Sequence, residues 1–151
     1  MVGMMMVPIC AEEISVNYKE PNTYTVSIPK SIQLSKNGNT PNDVKIMASD
    51  VNIEPKGEIK VSIISGIENG ILNLDRKDDT STKVQTTVTA NGIADPITTN
   101  TVIATFRGDH GETVTGGTLA FSKVTNVGND ATIKAGTYTG TVEFAITGPE
   151  K

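Results

Sequence analysis

The stretch AGTYTGTVEFAI, from Ala135 to Ile146, predicts the architecture of the whole chain. A turn signal at Gly136 precedes apolar side chains that alternate with Thr, Gly and Glu. A period of 2 is typical of a β-strand with one face on a core and the other in water. We therefore expect a closing strand that seals a sheet, with these inward positions: Tyr138, Val142, Phe144 and Ile146.

The same alternation continues through most of the chain, in runs such as YTVSIP and GEIKVSII. Turn-rich segments separate these runs, and no stretch combines a helical period with capping residues. The pattern predicts an all-β, antiparallel two-sheet β-sandwich, Ig-like or jelly-roll-like, with about 8–10 strands. The paired glycines Gly116 and Gly117 are interpreted as a turn between strands. Further inward scaffold positions are Tyr24, Val26, Ile28, Ile59, Val61, Ile63 and Phe121.

Composition restricts the classes of function. The chain has 151 residues, no Trp, three Phe and three Tyr, so its core must consist mainly of Ile, Val and Leu. The net charge of −4 provides no basic face, which argues against binding a nucleic acid through its phosphates. The length suits one domain, which we place at residues 12–151.

The first residues, MVGMMMVPICAEE, form an apolar run that ends in small residues before two glutamates. This pattern predicts that residues 1–11 are the remnant of an export signal, cleaved after Ala11. The alternatives are an ordinary apolar first strand and lipidation at Cys10. Because Cys10 is the single cysteine, no intramolecular disulfide is expected. The predicted location is extracellular or at the cell surface, with no membrane span in the mature chain.

The residues that could carry chemistry are few. The single His, His110, lies in RGDHGET among glycines and is interpreted as an exposed turn residue, and there is no G-x-S-x-G nucleophile motif. The RGD tripeptide is itself a turn pattern. The charged loop at Asp75–Asp79 leaves two interpretations open, a calcium site and a solvated loop. We expect no enzyme activity, no catalytic residues, no metal and no cofactor.

The segment EEISVNYKEPN follows the predicted export remnant. Its apolar residues, Ile14, Val16 and Tyr18, alternate with polar ones and thus form one face of a β-segment. Such a segment at a free end can pair within its own sheet, or it can complete the sheet of a neighbouring subunit. Head-to-tail strand addition does not close on itself and yields fibres. These three residues are the candidate assembly strand.

The motifs Y-T-V-x-I-P (Tyr24–Pro29), I-x-L (Ile32–Leu34) and A-G-x-Y-x-G-x-x-x-F-x-I (Ala135–Ile146) resemble a family of small secreted surface proteins of Firmicutes. The ending is also similar to that of the WxL class of cell-wall proteins, with Phe144-Ala145-Ile146 where that class has Trp-x-Leu. The resemblance implies a cell-surface or extracellular β-sandwich of adhesin or fibre-subunit type. It implies no catalytic residues.

Together, these observations predict a non-enzymatic, secreted surface protein of a Gram-positive bacterium that acts in surface assembly or adhesion. One form of this prediction is a fibre subunit joined to its neighbours by strand addition. Its partners would be other copies of itself or glycans of the cell wall or host. Two alternatives stay open: a carbohydrate- or wall-polymer-binding module, and a phage virion decoration protein.

Overall fold

The structure, a computed structural model, describes residues 12–34, 43–128 and 132–151. The predicted export remnant with Cys10 and most of the turn-rich loop after Leu34 lie outside the described residues. Within those ranges the chain consists of β-strands and connecting segments, without a helix. The all-β prediction is therefore confirmed.

The described residues contain eleven strands. Their bounds are β1 (Thr23–Ser27), β2 (Asp43–Asn52), β3 (Glu58–Ser65), β4 (Ile67–Glu68), β5 (Ile71–Arg76), β6 (Asp79–Ala90), β7 (Val102–Arg107), β8 (Val114–Phe121), β9 (Thr125–Asn126), β10 (Tyr138–Thr139) and β11 (Glu143–Thr147). The sequence predicted about 8–10 strands. The number is higher because β4, β9 and β10 have only two residues each and leave no alternating pattern.

The strands form two antiparallel sheets. The larger sheet has the order β1-β2-β8-β6-β5-β10, with β4 beside β5 and β9 beside β6. The smaller sheet has three strands in the order β11-β3-β7. Strands adjacent in the sheets are often distant in the chain, as β2 and β8 are. The topology thus depends on long-range pairing.

Both sheets contribute to one hydrophobic core. Ile59, Val61 and Ile63 of β3 are fully buried, as are Ile46 and Leu119 on the larger sheet. Fully burying such a side chain contributes about 1.5–3 kcal/mol, so these five residues are a main source of stability. Six other predicted scaffold residues are partly buried against this core: Tyr24, Val26, Ile28, Phe121, Val142 and Phe144.

The closing stretch differs from the single strand expected for it. Its first part, β10, pairs with β5 in the larger sheet, and its second part, β11, pairs with β3 in the smaller sheet. The chain crosses from one sheet to the other between Gly140 and Val142. Ile146 lies on the inward face, because it pairs with buried Val61. Its side chain is nevertheless 47% exposed, since β11 is an edge strand among the described residues.

One further prediction needs correction. Gly116 and Gly117 lie inside β8 and not in a turn. Ile46 pairs with Gly117 while Met47 pairs with Thr115, so Gly116 is the extra residue of a β-bulge. Tyr138 is half-buried as expected, but its hydroxyl donates to the Lys134 carbonyl at 2.8 Å. Tyr138 therefore contributes to a local turn beside the core.

Asn22 fixes the start of β1 to distant parts of the chain. Its side chain is 3% exposed, donates to the Glu150 carbonyl at 2.8 Å and accepts from the Glu54 N–H at 2.7 Å. The hydroxyl of Tyr24 also donates to the Pro149 carbonyl, at 3.3 Å. Because a buried amide is stable only with its partners in place, Asn22 holds this end of β1 in a defined position.

Candidate functional site

The segment before β1, residues 12–20, lies outside every strand. We call it the arm. Its apolar side chains are nearly fully exposed: Ile14 at 88%, Val16 at 86% and Tyr18 at 84%. The structure therefore does not place the arm in a sheet of its own chain, which was the first of the two alternatives for this segment. Pairing with another chain stays a prediction.

The polar groups of the arm carry local interactions. The Tyr18 hydroxyl donates to the Glu20 carboxylate. This bond raises the pKa of Tyr18 above its ordinary value, because the carboxylate holds the hydroxyl proton. Tyr18 is thus a neutral, mostly apolar side chain over the physiological pH range.

An apolar groove of about 230 Å³ lies beside β11. We call it the β11 groove. Its floor includes Val44, Leu74 and Phe121 of the larger sheet, and Phe144 forms part of one wall. Residues 28–32 and Leu34, which follow β1, form another part of the wall. Val44 is buried in this floor, whereas Leu74 and Phe121 are partly exposed.

The course of β11 follows from its two ends. Before β11, a methyl group on Gly140 would lie 2.7 Å from the Asn73 carbonyl oxygen on β5. After β11, a methyl group on Gly148 would lie 2.7 Å from the Tyr24 hydroxyl on β1. β11 therefore leads from the β5 side of the larger sheet to its β1 side. The groove lies along the first part of this course, because Gly140 and Phe144 line it.

The backbone of β11 presents hydrogen-bonding groups to this groove. The Ile63 carbonyl accepts from the Asn100 N–H at 2.7 Å, so the polar groups of Ile63 point toward β7. Those of the adjacent Ser62 then point toward β11, where Ser62 lies opposite Ala145. The residues on either side of Ala145 direct their N–H and C=O groups outward. No strand in the described part of the chain pairs with this edge.

Sequence reasoning found the arm but missed the groove. The residues that form it belong to separate strands, and each has the alternation of an ordinary core residue. Long-range strand pairing brings these residues together, and no local pattern in the sequence reveals that pairing. Ile32 gave the best available signal, as an apolar residue after the Pro29 strand stop, and it is 39% exposed in the groove wall.

The carboxylates of the Asp75–Asp79 loop do not converge. Asp75 pairs with Lys83 at 2.5 Å, and Asp78 pairs with Arg76 at 3.0 Å. Asp79 accepts from the Thr82 hydroxyl at 2.8 Å and from Ser81. Within residues 12–34, 43–128 and 132–151, no group of three or more His, Cys, Asp or Glu side chains could hold a metal ion.

Asp79 provides a prediction about pH. Its bonds from Ser81 and Thr82 hold the pKa of its carboxyl below the ordinary Asp range, because they stabilise the charged form. The resulting stabilisation is complete above about pH 4 and is lost as the pH falls through the lowered pKa. We expect Asp79→Asn to lower the urea midpoint at pH 7 and the difference from wild type to shrink in acid. A difference that does not change with pH would contradict this.

His110 is half-buried and not exposed as predicted. It forms an isolated bridge with Val51, in which the Val51 N–H donates to the His110 carbonyl at 2.7 Å and the His110 N–H donates back at 2.9 Å. The neighbouring Asp109 carboxylate accepts from the Ile53 N–H at 2.9 Å. These bonds fasten the RGD loop to the end of β2, so its Asp has a structural role.

No protein-family model, curated protein or solved structure matches the chain. The described residues include no helix of sufficient length and apolarity to cross a membrane. The arm and the β11 groove are therefore the features from which a function can be argued.

Proposed function

We propose that this chain is a non-enzymatic extracellular surface protein that assembles head to tail, with the arm as the added strand. In this proposal the two sheets form a sandwich of the type found in the Firmicutes surface proteins that the sequence resembles. The observation that carries the proposal is the arm, in which Ile14, Val16 and Tyr18 are exposed on one alternating face.

Physical chemistry favours burial of this face. Three apolar side chains in water lose the contribution of about 1.5–3 kcal/mol that each would make in a protein interior. Together they could supply about 5 kcal/mol or more before the entropic cost of association is subtracted. A β-strand buries every second side chain, so the spacing of the three residues suits strand addition, whereas a helix would not bring them to one face.

The test compares two lysine substitutions in the full chain. Val16→Lys places a charge on the apolar face of the arm, and Asn17→Lys places the same charge on its polar face. We expect sedimentation velocity to show concentration-dependent polymers for wild type and Asn17→Lys, and monomers for Val16→Lys. A wild type that stays monomeric up to millimolar concentration would refute the proposal, as would polymers of Val16→Lys equal to those of wild type.

A further inference from the structure

We propose that the acceptor for the arm is the β11 groove of a second copy of this chain. The arm would pair antiparallel with the outer edge of β11 and become the fourth strand of the smaller sheet. Ile14, Val16 and Tyr18 would then cover the floor of the groove. This inference rests on the proposed assembly function and names the surface that receives the arm.

The apolar stretch of the arm matches β11 in length. An extended strand rises about 3.4 Å per residue, so the stretch from Ile14 to Tyr18 covers about 14 Å. β11 also has five residues, Glu143–Thr147, and therefore offers an edge of the same length.

The two faces of the arm also match the surfaces that they would join. A strand beside β11 directs alternate side chains down onto apolar floor residues such as Leu74 and Phe121. Its other side chains, Ser15 and Asn17, point to the outer face of the smaller sheet. That face is already polar where Thr147 pairs with Lys60. The inserted arm would extend it without burying a polar side chain.

Charge favours the antiparallel direction. All paired strands in the described residues are antiparallel, and an arm antiparallel to β11 would begin at the Thr147 end of that strand. Lys151 lies near this end and is exposed, and its ammonium donates to the Tyr24 carbonyl at 3.1 Å. Glu12 and Glu13, which immediately precede the apolar face, would approach this lysine. Exposed pairs of this kind contribute little affinity, but they distinguish one orientation from the other.

In its own chain the arm could follow the edge of β11 only in the parallel direction. Asn22, which follows the arm, donates to the Glu150 carbonyl just beyond the end of β11, so the end of the arm is held beside the end of β11. The antiparallel arrangement reverses this order and therefore requires an arm from another molecule.

A mixing experiment in the full chain tests this assignment. Val16→Lys disables the arm and leaves the groove intact, whereas Ile32→Lys charges the groove wall and leaves the arm intact. Each variant alone should be monomeric, and an equimolar mixture should give a 1:1 dimer that does not grow. Ile64→Lys is the matched control, because Ile64 is 46% exposed on β3, outside the groove, and this variant should polymerise like wild type.

Hydrogen exchange then identifies the edge. In the mixed dimer, the amides of Phe144 and Ile146 in the Val16→Lys molecule should exchange at least about tenfold more slowly than in its monomer, since they acquire strand partners. If wild type polymerises but the mixture stays monomeric, or if another edge gains the protection, the groove assignment is wrong and the assembly function stands. If wild type does not polymerise, both fall together.

Discussion

Replacing Gly66 by Ala should lower the free energy of unfolding by about 3 kcal/mol, the combined cost of backbone strain and overpacking. Gly66 joins β3 to β4 and has a φ of +105°, a conformation that residues with a Cβ rarely adopt. A Cβ at this position would also lie 2.2 Å from the Thr141 carbonyl oxygen and 2.9 Å from Val142 Cα. Both contacts are with backbone atoms, which can move only if the segment that crosses between the sheets, Gly140 to Val142, moves with them.

The matched control is Gly92→Ala. Gly92 also has a positive φ, +79°, but a Cβ there would meet nothing within 4 Å. Its substitution should cost about 1 kcal/mol from backbone strain alone. The difference between the two variants in urea unfolding gives the cost of the contact with Thr141 and Val142. An equal loss of free energy for both variants would show that Gly66 is not in close contact with this segment. In a thermal melt, Gly66→Ala should lower the Tm by about 10 °C.

The crossing at Gly66 connects stability with the candidate site. Thr141 and Val142 lead directly into β11, whose edge and side chains form one wall of the groove. A Cβ on Gly66 would push this segment away from the core. We therefore expect Gly66→Ala to weaken assembly in the same sedimentation measurement, and Gly92→Ala to leave it unchanged.

Much of the fold could be predicted from local sequence, because burial in a sheet imposes a period of 2. Ile59, Val61 and Ile63 illustrate this, since their alternation with polar residues alone predicted that they are inward, and all three are fully buried. The turn signals likewise separated most of the longer strands. The period of 2 and the turn signals depend only on residues that are close together in the chain, so the sequence alone is enough to predict them.

Long-range pairing set the limit of prediction. Tyr138 and Phe144 belong to one alternating stretch, yet they lie in different sheets, because the crossing between them is decided by contacts with β5 and β3. The same limit applied to the arm. Its alternation identified Ile14, Val16 and Tyr18 as a β-face, but only the structure showed that these side chains are exposed. The β11 groove, built from several strands, had only the weak local signal of Ile32.

Gly117 illustrates a second limit. The glycine was interpreted as a turn signal, whereas in the structure it allows a close approach to β7. A Cβ on Gly117 would lie 2.1 Å from the Ile103 carbonyl oxygen and 3.0 Å from the Ala104 side chain. Ile103 and Ala104 are each only 4% exposed, so β7 cannot retreat without opening the core. We expect Gly117→Ala to lower the free energy of unfolding by about 3 kcal/mol, the upper part of the range for overpacked cores.

The control for this prediction is Gly111→Ala, at a position where a Cβ would meet nothing within 4 Å. Its free energy of unfolding should stay within about 0.5 kcal/mol of the wild-type value, as for an ordinary surface substitution. If Gly117→Ala unfolds at the same urea concentration as Gly111→Ala, β8 and β7 are not in tight contact at this corner. We expect it to unfold at a much lower urea concentration. That result would show that the two sheets can approach each other there because Gly117 has no side chain. A glycine within a strand then indicates close packing between sheets and not a turn.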